Sequence, residues 1–258
     1  MKGGTLWRRI VLGVMGLYLF VPLLGVAEFS LRMRRGVYSF DAFAAVFADG
    51  RFRETFLYSS ALAVVTVVIG MVLIVPAAYA VRLYAPRLRA MVEFVTLLPL
   101  VVPAIVIVFG YMRLFGSQSW LPLTDTEIGS DALLAFGYVI LALPYLYRSV
   151  DAGLTSMDVR NLTEAAESLG ARPWTIMLRV VLPNIRTALL SGAFLTAAIV
   201  LGEFTFASLL NRPGFGPYMQ LLGANRAYEP AALSLVAFAL TWGLMVLIGA
   251  FSGRRTGA

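Results

Sequence analysis

The sequence predicts an all-α polytopic integral membrane protein with about six transmembrane helices. Of its 258 residues, 60% are hydrophobic and only 14% are charged, against roughly 25% charged residues in a typical soluble domain. The mean hydropathy is +0.83, so the chain carries more apolar surface than one globular core of this length can bury. Lipid must therefore solvate much of it.

Each predicted span is an apolar run close to the 20 residues that a bilayer requires. The six runs are Ile10 to Ala27, Phe56 to Ala80, Met91 to Phe115, Ala132 to Tyr147, Ala188 to Leu210 and Ala231 to Phe251. Several prolines lie inside these runs and predict kinks in a packed bundle, among them Pro76, Pro99, Pro103 and Pro144.

The segment between the first two spans predicts a short interfacial helix. Phe43, Val46 and Phe47 have the spacing of one helical face, and Asp41 is a suitable N-cap. We expect residues 1–55 to contain an N-terminal cytoplasmic tail, the first span and this external loop. Residues 56–253 then form a core of five spans with a cytoplasmic loop at about 151–186.

The distribution of arginines predicts that both termini are cytoplasmic, because basic residues concentrate in cytoplasmic loops. Lys2, Arg8 and Arg9 precede the first span, five arginines follow the fourth span, and Arg254 and Arg255 follow the last. The alternative is a cleaved signal peptide at the N-terminus. The first apolar run is longer than a signal sequence usually has, which favours a retained helix.

The residue types that are missing exclude several functions. The sequence has no His and no Cys, which removes imidazole bases, thiol nucleophiles and the usual zinc ligands. It has one lysine, Lys2, and no GxxxxGK[ST] motif, so the chain cannot itself be a P-loop ATPase. We therefore expect no catalytic residue, cofactor or metal on this chain. We also expect no nucleic-acid binding, since the positive-inside rule accounts for the net charge of +7.

The loop after the fourth span contains a predicted amphipathic helix. Leu162, Ala165, Ala166 and Leu169 have the spacing of one apolar face, opposite a polar side that includes Glu164 and Glu167. Gly170 suits the left-handed turn that ends a helix. Pro173 suits the first turn of a second helix, Trp174 to Val181, and Pro183 would interrupt the chain before the fifth span.

Two interpretations of this helix follow. A face built on alanines lets another protein approach closely, and a neighbouring carboxylate can pair with a basic group of that partner. Alternatively, Glu164 and Glu167 are only solvated residues of a helix on the membrane surface.

The spacing of this segment resembles the EAA motif of the membrane subunits of ATP-binding-cassette importers. In that motif Glu-Ala-Ala is followed after three residues by Gly and after nine more by Ile-x-Leu-Pro. Here Glu164, Ala165, Ala166 and Gly170 are followed by Leu182-Pro183, with Val180 in place of the isoleucine. The resemblance extends over roughly residues 57–251.

This resemblance implies a MetI-like type I importer permease in the prokaryotic inner membrane. The EAA loop would then form a coupling helix that inserts into an ATPase subunit, with Glu164 as the anchor, the alanines for close packing and Gly170 for the turn. Leu182 and Pro183 would set the angle at which the loop enters the fifth span. The implied partners are two ATPase subunits that carry ATP and Mg, an extracytoplasmic solute-binding protein, and a second permease, which we expect to form a heterodimer rather than a homodimer.

One acidic residue, Glu203, lies well inside an apolar run. Such residues usually face a cavity or a partner because their exposure to lipid costs several kcal/mol. Glu203 therefore either lines the translocation path, where it would contact a cationic substrate or a gate, or forms a structural hydrogen bond. Glu93, near the end of the third span, is given no role.

The resemblance narrows the substrate only to a class of small solutes. The Gly202-Glu203-Phe204 segment and the following Arg212-Pro213-Gly214 are similar to the spermidine and putrescine branch, which makes a polyamine the first candidate. Iron, thiamine and sulfate systems are related alternatives. A secondary transporter is the rival from another class, but no internal repeat supports it.

Overall fold

The structure, a computed structural model, describes residues 3–253. Lys2, Arg254 and Arg255, on which part of the predicted orientation rests, lie outside the described residues. The described chain is helical and contains no β-strand, only an isolated bridge between Arg34 and Val37. The prediction of an all-α protein is therefore confirmed.

Thirteen α-helices follow one another along the described chain. They are α1 Gly3–Ser30, α2 Asp41–Ala48, α3 Gly50–Leu83, α4 Arg89–Val101, α5 Ala104–Phe115, α6 Glu127–Thr155, α7 Val159–Ser168, α8 Pro173–Ile176, α9 Leu182–Asn184, α10 Arg186–Gly202, α11 Thr205–Leu209, α12 Phe215–Asn225 and α13 Glu229–Gly253. Short 3₁₀ turns precede α4 and α6, and a π-helical segment, Met177–Val181, joins α8 to α9.

The chain forms two compact units. One unit contains the residues up to Arg53 together with Tyr218–Trp242, and the other contains Glu54–Pro217 and the chain from Gly243 onward. In the first unit, α1 ends in a loop that leads to α2, and the ring of Phe29 stacks on that of Tyr228 with a centroid distance of 4.9 Å. This contact joins the end of α1 to the segment before α13.

In the second unit, α6 is the central helix and packs most extensively against α10 and next against α4. Two clusters of buried side chains lie along it. One cluster surrounds Leu146, Leu154 and Ile176 near α7, and the other surrounds Leu134 and Phe206 at the opposite end of α6. These two clusters fix the positions of the helices that carry the candidate site.

Three helices are long and apolar enough to cross a membrane unbroken, namely α1, α3 and α6, and two bent pairs raise the number to five. The predicted third span is therefore wrong as a single helix, because α4 and α5 meet at Val102 and Pro103 with a bend of 95°. Proline has no N–H group and its ring clashes with a continuing helix, which explains the break. Pro76, Pro99 and Pro144 remain inside their helices.

The predicted fifth span is also interrupted. The helix α10 ends at Gly202, Glu203 has an extended backbone with ψ of 127°, and α11 begins at Thr205. The fourth span is longer than predicted, because α6 reaches Thr155. The loop that we placed at about 151–186 therefore begins as helix. The sixth span lies on α13.

The short helix predicted after the first span is present as α2, but its details differ. Phe40 and not Asp41 occupies the N-cap position. The buried face consists of Ala42 and Val46, whereas Phe47 is 58% exposed.

The contact between α6 and α10 depends on a glycine. A Cβ atom placed on Gly153 would lie 2.6 Å from the Cβ of Ala188 and 3.1 Å from the Cβ of Ile185. Both neighbouring atoms are fixed to their backbones. We expect Gly153→Ala to force the two helices apart and to lower the free energy of unfolding by about 1–3 kcal/mol.

Thermal unfolding of the full chain in detergent measures this effect. Gly110→Ala is the matched control, since nothing lies within 4 Å of the position of its Cβ and alanine favours the helix by roughly 1 kcal/mol. Equal melting temperatures for the two variants would contradict the predicted close approach.

Candidate functional site

The predicted amphipathic helix is present as α7, and it begins at a capped residue. The carboxylate of Asp158 accepts a hydrogen bond from the backbone N–H of Asn161 at 3.2 Å and another from the Asn161 side chain at 2.6 Å. A carboxylate at this position satisfies a free N–H group and favours the positive end of the helix dipole. Asp158 therefore fixes where α7 starts.

The left-handed turn predicted at Gly170 is confirmed by its φ of 76°. The N–H of Gly170 donates to the carbonyl of Glu167 at 2.8 Å, and the N–H of Ala171 donates to that of Ala166 at 3.0 Å. These bonds close the end of α7 and turn the chain toward α8. A residue with a Cβ would be strained in this conformation.

The predicted apolar face of α7 divides into two. Val159 and Thr163 are buried and Ala166 is partly buried, so this side packs against the protein. Leu162, Ala165 and Leu169 lie outside that contact and are exposed, Leu169 to 90%. The four apolar residues therefore do not share one face as predicted, because Ala166 packs against the protein whereas the other three are exposed.

The inner side of α7 is joined to α3 by a buried pair of hydroxyl groups. The Thr163 hydroxyl donates to the carbonyl of Val159 at 2.7 Å, so its oxygen accepts the proton of the Tyr79 hydroxyl at 3.0 Å. Tyr79 belongs to the same apolar cluster as Ala166 and Ile176. A displacement of α7 would therefore act directly on the end of α3.

The chain returns to the bundle through α8, the π-helical segment and α9. Leu182 is partly buried and Pro183 is exposed. We predicted that the chain would be interrupted at Pro183, but the bend of 77° follows α9 and lies at Ile185. The buried Ile185 lies at this corner, so the loop enters α10 at an angle set by packing.

Asp151 connects three helices near α7. Its carboxylate accepts hydrogen bonds from Arg82 of α3 at 3.1 Å and from Arg89 of α4 at 3.0 Å. Arg89 also pairs with Glu93 at 2.9 Å, so Glu93 has a structural role that we did not predict. The Asp151 side chain is only 18% exposed, and this network ties α3, α4 and α6 together.

Glu203 lies at the break between α10 and α11, and its carboxylate is engaged by its own chain. The backbone N–H of Thr205 donates to it at 2.7 Å, that of Phe206 donates at 3.0 Å and that of Ala207 at 3.4 Å. The buried Tyr138 of α6 interacts with the same carboxylate. Glu203 thus satisfies the free donors at the start of α11, which favours the structural interpretation of this residue.

A second ion pair, at the opposite end of α6, was missed. Arg212 donates two hydrogen bonds to Asp131, at 2.6 and 3.1 Å, and lies over the ring of Tyr58. The Tyr58 hydroxyl donates to the same carboxylate at 2.5 Å. Burial lowers the pKa of the Arg212 guanidinium, but hydrogen bonds to Tyr58 and Asp131 outweigh this effect, so the pKa lies above its ordinary value. The sequence carries no local signal for a pair 81 residues apart.

Comparison with known families matches residues 70–255 to the binding-protein-dependent transport system inner membrane component. The match includes α7, Gly170 and the interrupted span that carries Glu203.

Individual relatives have different named substrates. The chain is 31% identical over 215 residues to the chloroplastic sulfate permease 2 of Chlamydomonas reinhardtii, covering 79% of this chain and 56% of that one. It is 28% identical over 259 residues to the sulfate permease CysW of Synechocystis, covering 96% and 92%. The spermidine/putrescine permease PotB of Salmonella typhimurium is 22% identical over 273 residues, covering 96% and 94%.

Among solved structures, a chain of a bacterial ABC transporter for the import of the acidic polysaccharide alginate has a TM-score of 0.72. The alignment covers 99% of this chain and 97% of that one at 14% identity. At this identity the likeness shows the fold alone.

If Glu203 is a structural cap, its removal must destabilise the protein. Glu203→Ala leaves three N–H groups without their acceptor, and we expect a loss of about 1–3 kcal/mol in the free energy of unfolding. Glu203→Gln keeps one oxygen acceptor and should lose less. Thermal unfolding of the full chain checks both values. If Glu203→Ala melts like the wild type, the carboxylate is free for another role, such as contact with a substrate.

Proposed function

Because the chain belongs to the family of binding-protein-dependent transport system inner membrane components, we propose that it forms part of a translocation path and that α7 couples this path to an ATPase subunit. The family consists of permease subunits of ATP-binding-cassette importers, which are membrane proteins and not enzymes. The coupling and the substrate are our proposal.

The exposed side of α7 is the observation that carries the coupling proposal. Leu162, Ala165 and Leu169 form an apolar strip, and Glu164 lies next to it on the exposed surface. The strip is held rigidly, since Thr163 and Ala166 on the other side of α7 pack against α3 and the adjacent core. A rigid apolar surface beside one carboxylate suits a partner with an apolar groove and a basic residue at its edge.

The residues of this segment then have different tasks. Glu164 would pair with a basic residue of the ATPase, and Ala165 would allow the close approach. Ala166 packs inward and would hold α7 on its own bundle. Gly170 permits the turn that ends the docking helix.

The connection to the translocation path would run through Leu182 and Pro183 to the corner at Ile185. The helix before this corner is bent by 77° from α10. Any rotation of α7 and α8 would therefore change the direction in which α10 is pushed. Since α10 packs more extensively on α6 than any other helix does, the push would reach the centre of the bundle.

The proposed assembly contains two ATPase subunits with ATP and Mg, a second permease and an extracytoplasmic solute-binding protein. We propose a heterodimer of permeases with both termini of this chain in the cytoplasm. One copy of the chain supplies too few helices to enclose a path that opens alternately to each side. The arginines of the loops support the orientation.

For the substrate we propose a small charged solute, with sulfate as the first candidate. Two relatives with identities of 31% and 28% are named as sulfate permeases. The polyamine prediction rested on the resemblance of the segments around Glu203 and Arg212 to the spermidine and putrescine branch and on a carboxylate free to bind a cation. The carboxylate of Glu203 is instead engaged by three backbone N–H groups. The relative PotB keeps spermidine as the alternative.

The coupling proposal predicts a difference between two neighbouring glutamates. We expect Glu164→Ala and Leu169→Asp to reduce the amount of ATPase that copurifies with this chain by about tenfold, since a charge-assisted hydrogen bond or a buried apolar contact contributes roughly 1.5–3 kcal/mol. Affinity purification from cells that also express the neighbouring ATPase, permease and binding-protein genes measures this.

Glu167→Ala is the matched control, because it removes the same charge from an exposed position of the same helix. It should retain the ATPase. If all three variants retain it equally, α7 is not the docking element.

The substrate proposal predicts which ligand stimulates ATP hydrolysis. In nanodiscs that contain the complex, we expect sulfate-loaded binding protein to raise the ATPase rate several-fold over the unloaded protein, while spermidine has no effect. Stimulation by spermidine alone would restore the polyamine prediction and reject sulfate.

A further inference from the structure

The loop between α1 and α2, residues 31–40, forms a basic pocket to which the proposed function assigns no role. The pocket has a volume of about 390 Å³ and is lined by Arg32, Arg34, Arg35, Gly36, Val37, Tyr38 and Tyr228. Three guanidinium groups at one small cavity are suited to an anion with several oxygen atoms.

The loop has a defined conformation and is not an open chain. The N–H of Ser39 donates to the carbonyl of Leu31 at 2.8 Å and closes the loop at its base. Arg34 and Val37 form an isolated bridge, and Gly36 between them has a φ of 79°. A left-handed residue at this position lets the three arginines be presented from one tight turn.

The charges of the pocket leave one arginine uncompensated. Arg32 forms an ion pair with Glu28, and Arg34 forms one with Asp41. Within residues 3–253, Arg35 forms no hydrogen bond or ion pair, although it lies in the same turn. The pocket with its two acidic partners thus has a net charge of one positive unit, which one singly charged anion would neutralise.

The position of the loop identifies the kind of anion. It directly follows α1, whose residues Trp7–Ser30 are long and apolar enough to cross a membrane and have no buried residue in their most apolar window. The end of such a helix lies at the level of the lipid headgroups. An anion that is abundant at this depth is the phosphodiester of a phospholipid.

The exposed aromatic residues of the loop favour a lipid over a dissolved ion or a carboxylate on a protein. Tyr38 is 65% exposed, Phe40 is 73% exposed, and Val37 beside them is 63% exposed. Exposed aromatic rings next to arginines are typical of segments that lie in the interface, where the rings contact the glycerol region. A free anion would have no use for these side chains.

We propose that Arg32, Arg34 and Arg35, together with Tyr38 and Tyr228, bind the phosphate of an anionic phospholipid headgroup at the C-terminal end of α1. The acyl chains would lie along the exposed surface of α1. A headgroup with one negative charge, such as phosphatidylglycerol, would neutralise the net charge of the pocket. In phosphatidylethanolamine the ammonium group cancels the charge of the phosphate, so that lipid would not neutralise the pocket.

The test measures lipid retention by the full chain, purified with any subunits that copurify, after exchange into mixed micelles of phosphatidylethanolamine and phosphatidylglycerol. We expect native mass spectrometry to show a bound phosphatidylglycerol in the wild type. In Arg35→Gln its retention should fall about fivefold, which corresponds to roughly 1 kcal/mol for one arginine near a membrane surface. The double variant Arg32→Gln with Arg35→Gln should fall further.

Arg53→Gln is the matched control, since it removes one exposed arginine from the start of α3, outside the pocket. It should retain phosphatidylglycerol like the wild type. Arg35→Gln breaks no contact within the described residues, so its folding is not at risk, and the melting temperature of each variant verifies this.

Three outcomes would overturn the proposal. Retention that is equal in the wild type and both pocket variants would mean that the arginines bind no lipid. Displacement of the lipid by millimolar inorganic sulfate or phosphate, with the same binding of that ion in phosphatidylcholine alone, would assign the pocket to a free anion. Unchanged lipid retention together with weaker capture of the solute-binding protein would assign the arginines to a protein contact.

Discussion

The constraint on which this structure depends is that lipid offers no hydrogen-bond partner to the backbone. Each N–H or carbonyl group left free within the bilayer costs several kcal/mol. The chain nevertheless interrupts two of its apolar segments, between α4 and α5 and between α10 and α11. The first break occurs at Pro103, which has no N–H group to satisfy. The second places a carboxylate, that of Glu203, where three N–H groups need an acceptor. Helices broken in this way are stable only where they face protein or a cavity, and in transporters such places line the translocation path.

The helix α6 is held to neighbouring segments by an ion pair near each of its ends. At one end Asp151 accepts hydrogen bonds from Arg82 and Arg89, and at the other end Asp131 binds Arg212. Asp131 and Asp151 are twenty residues apart on α6, which at about 1.5 Å each separates the two ion pairs by about 30 Å, the thickness of the hydrocarbon core. Each pair lies where charged groups cost least, near a membrane surface. Together with the Tyr58 hydroxyl that donates to Asp131, they hold α3 against α6 at both ends.

The fold class and most helices could be predicted from the sequence, because a run of about 20 apolar residues identifies a helix that crosses the bilayer. It could not predict the breaks, since Val102 is apolar, Pro103 also occurs in continuous membrane helices, and Glu203 is one residue in a long apolar run. The two Asp-Arg pairs were missed because their partners are separated by more than sixty residues in the chain. In α7 the helix end at Gly170 followed from backbone chemistry. Ala166 was wrongly grouped with the exposed residues because Val159, Thr163 and Ala166 have a helical spacing as regular as that of the four apolar residues chosen, and the threonine looked polar.

The division of α7 into two sides also explains how one short helix can transmit a force. If Leu162, Ala165, Ala166 and Leu169 had formed one buried face, the helix would have offered only polar residues to a partner. If they had all been exposed, α7 would have had little hold on its own bundle. Instead Thr163 and Ala166 attach α7 to the cluster that contains Tyr79 and Ile176, while the exposed residues remain for a second protein.

The hydroxyl pair at Tyr79 is satisfied only in one register, because the single proton of Thr163 is already given to Val159. A displacement of α7 therefore has to move the end of α3 with it or lose a buried hydrogen bond.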